Sequence, residues 1–382
     1  MRIHLSRIEY IAMQRVLSFF LALSVLFSPL AVTAAFPPER AIWSQRGYDP
    51  LKTGAIPWES GPNFVINGEA IKAKETIQGV STYGDLVICS GTNGSVFTLA
   101  KWGAAVWATR LDSKPIGVPA FSRGHLFVLK QNGKLAKLKE NNGSIVWDIK
   151  MVEEGQTDIT IIGDRLGVFA GKKSVVCVDL ETGVRVWEKA ISGNIQPLSC
   201  QGTFVLVNSE NELSCFLLGN GNKVWSRKIG TGFAGVPVIF GDKVYVGTLD
   251  EKVMCLSLWT GETIWQAERG YSGAAPTVAD GKVWVPGNGT IWCYSADDGK
   301  LVWKSVLDKK SDFIFWNQLA KSGNLIVASG NSPDLYILDA TNGQTKRKLR
   351  VSSGVGVDLA FGFDYMVAID AKKQIFIFGF SK

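Results

Sequence analysis

The chain has 382 residues, of which 46% are hydrophobic, 11% aromatic and 20% charged, and its formal net charge is +7. This composition allows a large buried core and excludes a disordered or collagen-like protein. His4 and His125 are the only histidines, which argues against most hydrolases and zinc enzymes.

The first 35 residues have the pattern of an export signal. Two arginines flank an apolar run over 16–30, and small residues follow that offer a cleavage site after Ala34 or Ala35. Met13 is an alternative start, and an uncleaved membrane anchor is the alternative interpretation of the run. No cysteine precedes Cys89, so no lipoprotein motif is visible. We expect an exported protein of the periplasm or cell envelope, with no stable membrane span after cleavage.

A repeat of about 40 residues is the strongest pattern in the chain. Six tryptophans recur at intervals of 38 to 40 residues, each four positions after a glycine: Trp107, Trp147, Trp187, Trp225, Trp265 and Trp303. A seventh copy has Arg347 in place of the tryptophan. A second set of glycines marks eight units: Gly84, Gly124, Gly163, Gly202, Gly241, Gly281, Gly323 and Gly362.

Units of this length, with short β-branched runs between Gly, Asn and Asp turns, are typical of propeller blades with four strands. We therefore predict an all-β, eight-bladed β-propeller over residues 61–382, after a signal peptide at 1–35 and an N-terminal extension at 36–60. The eighth unit ends after three strands, so an N-terminal strand must close the ring. We favour the segment around Phe64 for this strand, with the segment around Trp43 as the alternative. Closure removes exposed sheet edges.

The six repeated tryptophans have a structural interpretation. A large ring at one place in every blade packs against the next blade, covers its Thr-Gly turn and buries ~200 Å². Stacking on a base or a sugar is the less favoured alternative.

The cysteines are predicted to be unpaired. Four of them lie ten residues before a repeat tryptophan, at equivalent places in four blades: Cys177, Cys215, Cys255 and Cys293. A disulfide needs Cα atoms within about 7 Å, which equivalent places in neighbouring blades do not offer. No CxxC motif occurs, which excludes zinc-ribbon and thioredoxin-like sites.

Residues 177–187, with the sequence Cys-Val-Asp-Leu-Glu-Thr-Gly-Val-Arg-Val-Trp, resemble the tryptophan-docking repeat of pyrroloquinoline-quinone (PQQ) propellers. Residues 255–265 and 293–303 are close variants, and the resemblance covers roughly residues 60–380. It implies the fold and no particular chemistry. Among the non-enzymatic members, the chain is similar to the BamB family of the outer-membrane β-barrel assembly machinery, although the lipobox of that family is missing.

The resemblance implies a non-catalytic monomer that needs no cofactor or metal and binds protein partners, with an outer-membrane β-barrel assembly component as the candidate. A PQQ-dependent oxidoreductase is one alternative, but the adjacent cysteine pair of those enzymes is absent, and Asp179 and Asp339 lie in turns where aspartate usually binds backbone. A polysaccharide or peptidoglycan binder is the other alternative. Lys and Arg are spread along the chain, so no nucleic-acid interface is expected.

Two segments depart from the repeat and are candidates for partner binding. One is the stretch that contains Trp58. The other holds Phe313, Phe315 and Trp316, in the one interval between glycines that reaches 42 residues.

We predict that the export signal is cleaved. The intact mass of secreted protein should correspond to a chain that starts at Ala35 or Phe36. A mass that still includes residues 16–34 would show that the apolar run is retained as an anchor.

Overall fold

Short strands joined by tight turns form eight sheets, and the predicted eight-bladed all-β propeller is confirmed. The computed structural model describes residues 55–56, 63–66, 71–191, 193–229, 231–268, 274–307, 319–332, 334–351, 357–370 and 374–381. All of these belong to the compact unit Arg40–Lys382. No helix within these ranges is long and apolar enough to cross a membrane.

The strands are numbered in chain order. Three short ones come first: β1 (Ala55–Ile56), β2 (Asn63–Ile66) and β3 (Ile71–Lys72). Blade 1 contains β4 (Ile77–Tyr83), β5 (Leu86–Gly91), β6 (Ser95–Ala100) and β7 (Ala105–Arg110); blade 2 contains β8 (Ala120–Ser122), β9 (His125–Leu129), β10 (Lys134–Lys139) and β11 (Ile145–Lys150). Blade 3 contains β12 (Thr160–Ile162), β13 (Leu166–Ala170), β14 (Ser174–Asp179) and β15 (Arg185–Ala190); blade 4 contains β16 (Ser199–Gln201), β17 (Phe204–Ser209), β18 (Glu212–Leu217) and β19 (Lys223–Lys228).

The other four blades follow the same order. Blade 5 contains β20 (Phe233–Phe240), β21 (Lys243–Thr248), β22 (Lys252–Ser257) and β23 (Thr263–Glu268); blade 6 contains β24 (Thr277–Ala279), β25 (Lys282–Gly287), β26 (Thr290–Ser295) and β27 (Leu301–Val306). Blade 7 contains β28 (Ala320–Ser322), β29 (Leu325–Ala328), β30 (Asp334–Asp339) and β31 (Thr345–Arg350); blade 8 contains β32 (Val357–Phe361), β33 (Tyr365–Asp370) and β34 (Gln374–Ser381). Among the strands from β4 to β34, those of one blade are antiparallel and follow one another in sequence.

The first strand of each blade lies at the centre of the ring, and in six of the eight blades it carries a serine or threonine. Side chains of these residues donate hydrogen bonds to backbone carbonyls of the next blade: Ser81 to Pro119 (2.8 Å), Thr160 to Leu198 (3.1 Å) and Thr277 to Leu319 (2.6 Å). All three hydroxyl residues are buried, so these bonds satisfy groups that would otherwise cost free energy. The centre of the ring is therefore linked blade to blade by polar contacts.

The repeated tryptophans link the blades further out, as the sequence predicts. Trp225 of blade 4 donates from Nε1 to the carbonyl of Leu258 in blade 5, at 2.8 Å. A Cβ added to Gly261, in the same turn, would lie 2.7 Å from the Trp225 ring, and this glycine has a φ of +71°. Glycine is thus required there both by the backbone and by the ring. Equivalent hydrogen bonds join four more pairs: Trp107 to Glu140, Trp187 to Leu218, Trp265 to Ala296 and Trp303 to Ala340.

The cysteines lie directly across the sheet from these tryptophans. In register, Cys177 pairs with Trp187, Cys215 with Trp225, Cys255 with Trp265 and Cys293 with Trp303. All six cysteines of the chain are buried and none forms a disulfide, which confirms the prediction. Burial raises the pKa of the four thiols opposite tryptophan to about 12, so they act as small core residues.

The ring is closed by the strand predicted from the sequence. Phe64 in β2 pairs with Phe380 in β34, and β3 continues along the same strand with Ile71 opposite Ile375. The alternative segment around Trp43 lies outside the described residues. Where blade 8 meets blade 1, the Tyr365 hydroxyl lies 3.0 Å from carbonyl oxygens of blade 1. Blade 8 is therefore built from both ends of the described chain.

Strand β1 is a feature that the sequence does not predict. It lies within the predicted N-terminal extension and pairs in parallel with β28, the innermost strand of blade 7. Ala55 is opposite Lys321, and Ile56 is opposite Ser322. The extension therefore reaches the inner side of the ring.

We predict that Trp225→Ala lowers the free energy of unfolding by about 3–5 kcal/mol, because a large docked ring is removed. Trp259, next to the carbonyl that Trp225 contacts, is 61% exposed and provides a matched control. Trp259→Ala should cost about 1 kcal/mol or less. Urea denaturation measures both, and equal losses would contradict the docking role.

We also predict that the thiols become reactive only on unfolding. Ellman's reagent should detect six thiols in denatured, unreduced protein, and almost none in native protein, because all six are buried. A denatured count of four would reveal a disulfide.

Candidate partner-binding surfaces

The outermost strands of blades 1 to 7 form a repeated exposed surface. Their second residue is aliphatic in six blades and is nearly half exposed: Val106, Val146, Val186, Val224, Ile264 and Val302. β-branched residues suit strands, and exposed aliphatic groups beside an open strand edge are also surfaces that a partner can cover.

Strand β31, the outermost strand of blade 7, replaces this pattern with cations. Lys346 lies 2.9 Å from Asp339, and the Lys348 ammonium lies 4.8 Å from the centre of the Tyr336 ring. Arg347 occupies the tryptophan position and is exposed. Blade 7 thus offers a basic edge where blades 1 to 6 carry the repeat tryptophan.

One side of the ring, called here the turn face, carries two turns from each complete blade: one between its first and second strands, one between its third and fourth. In six blades the residue before the glycine of the second turn has a side-chain oxygen that accepts the backbone N–H two residues later, at 2.9 to 3.3 Å. These capping residues are Asn142, Thr182, Asn220, Thr260, Asp298 and Asn342. This is the expected use of Asn, Asp and Thr in turns.

Blade 1 departs from this rule, because Trp102 occupies the capping position and is 67% exposed. The residue after the glycine of the first turn is polar in blades 1 to 7, whereas blade 8 has Phe363, which is 48% exposed. The ammonium of Lys101 joins the two turns, at 3.1 Å from Asp85 of blade 1 and 2.7 Å from Asp364 of blade 8. The two exposed aromatic residues therefore lie on turns that this ion pair joins, where the ring closes.

Trp259 of blade 5 is a third exposed aromatic residue on the turn face. Its ring meets Phe204 of blade 4 edge to face, with centroids 5.1 Å apart. This tryptophan therefore already has an aromatic partner within the ring.

A cleft of about 220 Å³ opens between blades 2 and 3. Lys137, which is buried, stands in the position that cysteine has in four other blades, and its ammonium lies 3.1 Å from the Glu181 carboxylate. The neighbouring Trp147 has a buried Nε1 with no hydrogen-bond partner among the described residues. Arg165 on the cleft wall pairs with Asp179 at 2.8 Å. The main charges of the cleft are thus matched within the protein.

The turn aspartates bind backbone, as the sequence suggests. The carboxylate of Asp179 accepts N–H groups of Glu181 and Thr182 at 3.0 Å each. Asp339 accepts the N–H of Thr341 at 2.8 Å. Within the described ranges, no group of three or more His, Cys, Asp or Glu residues is arranged to hold a metal ion.

The structure finds different surface residues from those that the sequence suggested. Trp58, Phe313, Phe315 and Trp316 all lie outside the described residues. Trp102 and Phe363 were missed. An alignment of the eight units turn by turn would have found them, because each is the one aromatic residue at a position that is otherwise polar.

Comparison with known proteins points to one family. The family described as outer membrane protein assembly factor BamB matches residues 46–232 and 209–362. BamB of Shewanella oneidensis is 23% identical over 244 residues, which is 58% of this chain and 60% of the relative. BamB of Moranella endobia is 24% identical over 295 residues, 71% of this chain and 72% of the relative. The alignment thus spans less than two thirds of the Shewanella protein.

Solved structures show the same fold. The crystal structure of BamB from Moraxella catarrhalis superposes with a TM-score of 0.68 at 16% identity, covering 84% of this chain and 98% of that one. The computationally designed Ika8 protein superposes with a TM-score of 0.70 at 14% identity, covering 81% of this chain and 97% of that one. At these identities the likeness concerns the fold alone.

We predict a pH-dependent contribution from Asp179. The hydrogen bond from Arg165, and then the turn N–H groups, lower its pKa to about 2, from an ordinary value of about 3.9. An aspartate whose pKa is lower in the folded than in the unfolded state stabilises the fold above pH ~4. This contribution is lost as the pH falls through ~2. Asp179→Asn should therefore cost about 1–3 kcal/mol at neutral pH.

The measurement is urea denaturation at neutral pH and at low pH. The exposed Asp297, changed to Asn, is the control and should stay within about 0.5 kcal/mol of wild type. A deficit for Asp179→Asn that persists unchanged near pH ~2 would contradict the ionic origin.

Proposed function

We propose that this chain, which belongs to the family of the outer membrane protein assembly factor BamB, is a non-catalytic propeller that binds other proteins in outer-membrane assembly. The observation that carries the proposal is the combination of this family with a ring whose blades are interlocked while its outer strands and turn face stay exposed. A rigid ring with variable surface residues suits a scaffold.

Two surfaces support protein binding over small-molecule chemistry. The aliphatic band on the outermost strands offers backbone edges to which an extended segment can add by β-augmentation. The turn face offers exposed aromatic residues, the type enriched at protein interfaces. Neighbouring exposed apolar groups, in contrast to single ones, are typical of surfaces that a partner covers.

We place the protein in the periplasm or cell envelope, with residues 1–35 as its export signal and 36–60 as an extension before the propeller. The apolar run and the small residues that follow it support this placement. Outer-membrane assembly takes place in that compartment, so the placement and the function are consistent.

An oxidoreductase is the second candidate, because one segment resembles such an enzyme. A quinohemoprotein alcohol dehydrogenase of Pseudomonas putida is 39% identical over 79 residues, which is 17% of this chain and 11% of the enzyme. The six cysteines lie in separate strands, and none is adjacent to another in sequence. The similarity is confined to a length of about two repeats, so it is explained by the shared blade.

The proposal is tested by crosslinking in the source organism. Cells that express the chain with an affinity tag are treated with a cleavable amine crosslinker, and the purified adducts are identified by mass spectrometry. We expect an outer-membrane β-barrel assembly protein among the adducts, together with lower levels of barrel proteins in outer membranes from cells that lack this chain.

An unrelated tagged envelope protein is the control for non-specific adducts. Recovery of glycan alone would favour a polysaccharide binder and overturn the proposal. Reduction of a dye by the purified protein with alcohol, PQQ and calcium would favour the oxidoreductase instead.

A further inference from the structure

We propose that Trp102 and Phe363 form a docking site on the turn face for an extended polypeptide that carries an apolar side chain next to a lysine or arginine. The inference rests on the proposed protein-binding function and locates one binding surface for it. The two residues, with Lys101, Asp85 and Asp364 between them, are called the seam patch below.

Trp102 has replaced a residue with a clear structural role. In six other blades the same turn position holds an oxygen that caps a backbone N–H, and tryptophan has no such acceptor. Its side chain also gains little burial in exchange, because it is 67% exposed. The substitution thus removes a local stabilising contact and leaves a large apolar surface in water. A partner that covers Trp102 would offset this cost.

Phe363 is a second, independent departure at the same place. The position after the first-turn glycine carries Asp, His, Thr, Lys or Asn in the seven other blades. The phenyl ring is 48% exposed. Lys101, the neighbour of Trp102, contacts Asp364, the neighbour of Phe363, at 2.7 Å. Both exceptions to polar turn chemistry therefore lie on adjacent turns of the one junction between blades 8 and 1.

The seam patch is held on a rigid base. The Tyr365 hydroxyl contacts carbonyls of Gly84 and Leu86 at 3.0 Å across the junction. Lys101 is bound by two carboxylates, which holds both turns in place. Aromatic residues on a fixed base lose little conformational entropy when they bind, which is a property of interaction hot spots.

The charge around the rings identifies the partner. Asp85 and Asp364 are 62% and 49% exposed, and the single ammonium of Lys101 sits between them. The three groups together carry a net negative charge, so they attract a cation and repel an anionic lipid surface. A lysine or arginine beside an apolar residue can pair with a carboxylate and stack on Trp102. An extended polypeptide of this composition fits both the rings and the charge.

The test uses the full mature chain and a fluorescein-labelled peptide that alternates aromatic and serine residues and includes lysines. Fluorescence anisotropy measures its affinity. Trp102→Asn introduces the residue that caps the same turn in blades 2, 4 and 7. We expect this variant to melt no lower than wild type and yet to bind the peptide about tenfold more weakly. Phe363→Asn should weaken binding in the same direction.

Trp259→Thr is the matched control, since it removes an equally exposed tryptophan from the same face, and it should leave the affinity unchanged. A peptide with glutamate in place of lysine should bind more weakly than the lysine peptide. Unchanged affinity in Trp102→Asn, or a lower melting temperature, would overturn the seam patch. The seam patch would also be overturned if wild-type protein did not bind the peptide. Trp102-dependent binding to phosphatidylglycerol vesicles, or to a second copy of the chain, would overturn it as well.

The two proposals fail separately. If Trp102→Asn keeps its peptide affinity while the crosslinked assembly protein is still recovered, the seam patch is wrong and the scaffold function stands. If the peptide depends on Trp102 but no assembly protein is recovered, the function in outer-membrane assembly is wrong and the seam patch stands.

Discussion

The docking of one tryptophan onto the glycine turn of the next blade is the contact on which the rest of the ring depends. Five of the six repeat tryptophans supply an apolar surface, a hydrogen bond to a turn carbonyl and a steric demand that glycine alone meets. Because the contact joins different blades, it sets their spacing as well as their stability. The small residues opposite the rings, such as Cys215 and Cys255, leave the space in which the indoles lie.

At three junctions between blades, the docking of tryptophan onto the glycine turn is altered or replaced by another contact. Between blades 2 and 3, Lys137 contacts Glu181, and the Nε1 of Trp147 has no hydrogen-bond partner within the described ranges. Between blades 7 and 8, Arg347 takes the ring's position. At the seam, Ile71 packs at the Gly103 turn, with its methyl 2.9 Å from the place of a Cβ. A repeat fold shows such exceptions clearly, because every other blade gives the structural expectation for the same position.

The features that the sequence predicts correctly are those that recur with the repeat of about 40 residues. The number of blades, the docked tryptophans, the four cysteines opposite them and the closing strand near Phe64 all depend on positions that recur, so one physical explanation covers every copy. The pairing of β1 with β28 involves only two residues outside the repeat, and no period reveals it. Trp102 was missed for another reason: its neighbours in sequence are ordinary, and it stands out only beside the capping residues of the other turns. The four aromatic residues that the sequence suggests, Trp58, Phe313, Phe315 and Trp316, lie in segments that depart from the repeat and fall outside the described residues.

The composite eighth blade has a consequence for the order of folding. Phe64 finds its partner, Phe380, almost a full chain length later, so the closing strand is synthesised first and paired last. Blades 1 to 7 each form from neighbouring segments, whereas this one pairing requires the two ends to meet, and long-range pairing of this kind slows folding. Until then the edge of β34 is open, and it is the place where an unfinished ring would join another chain.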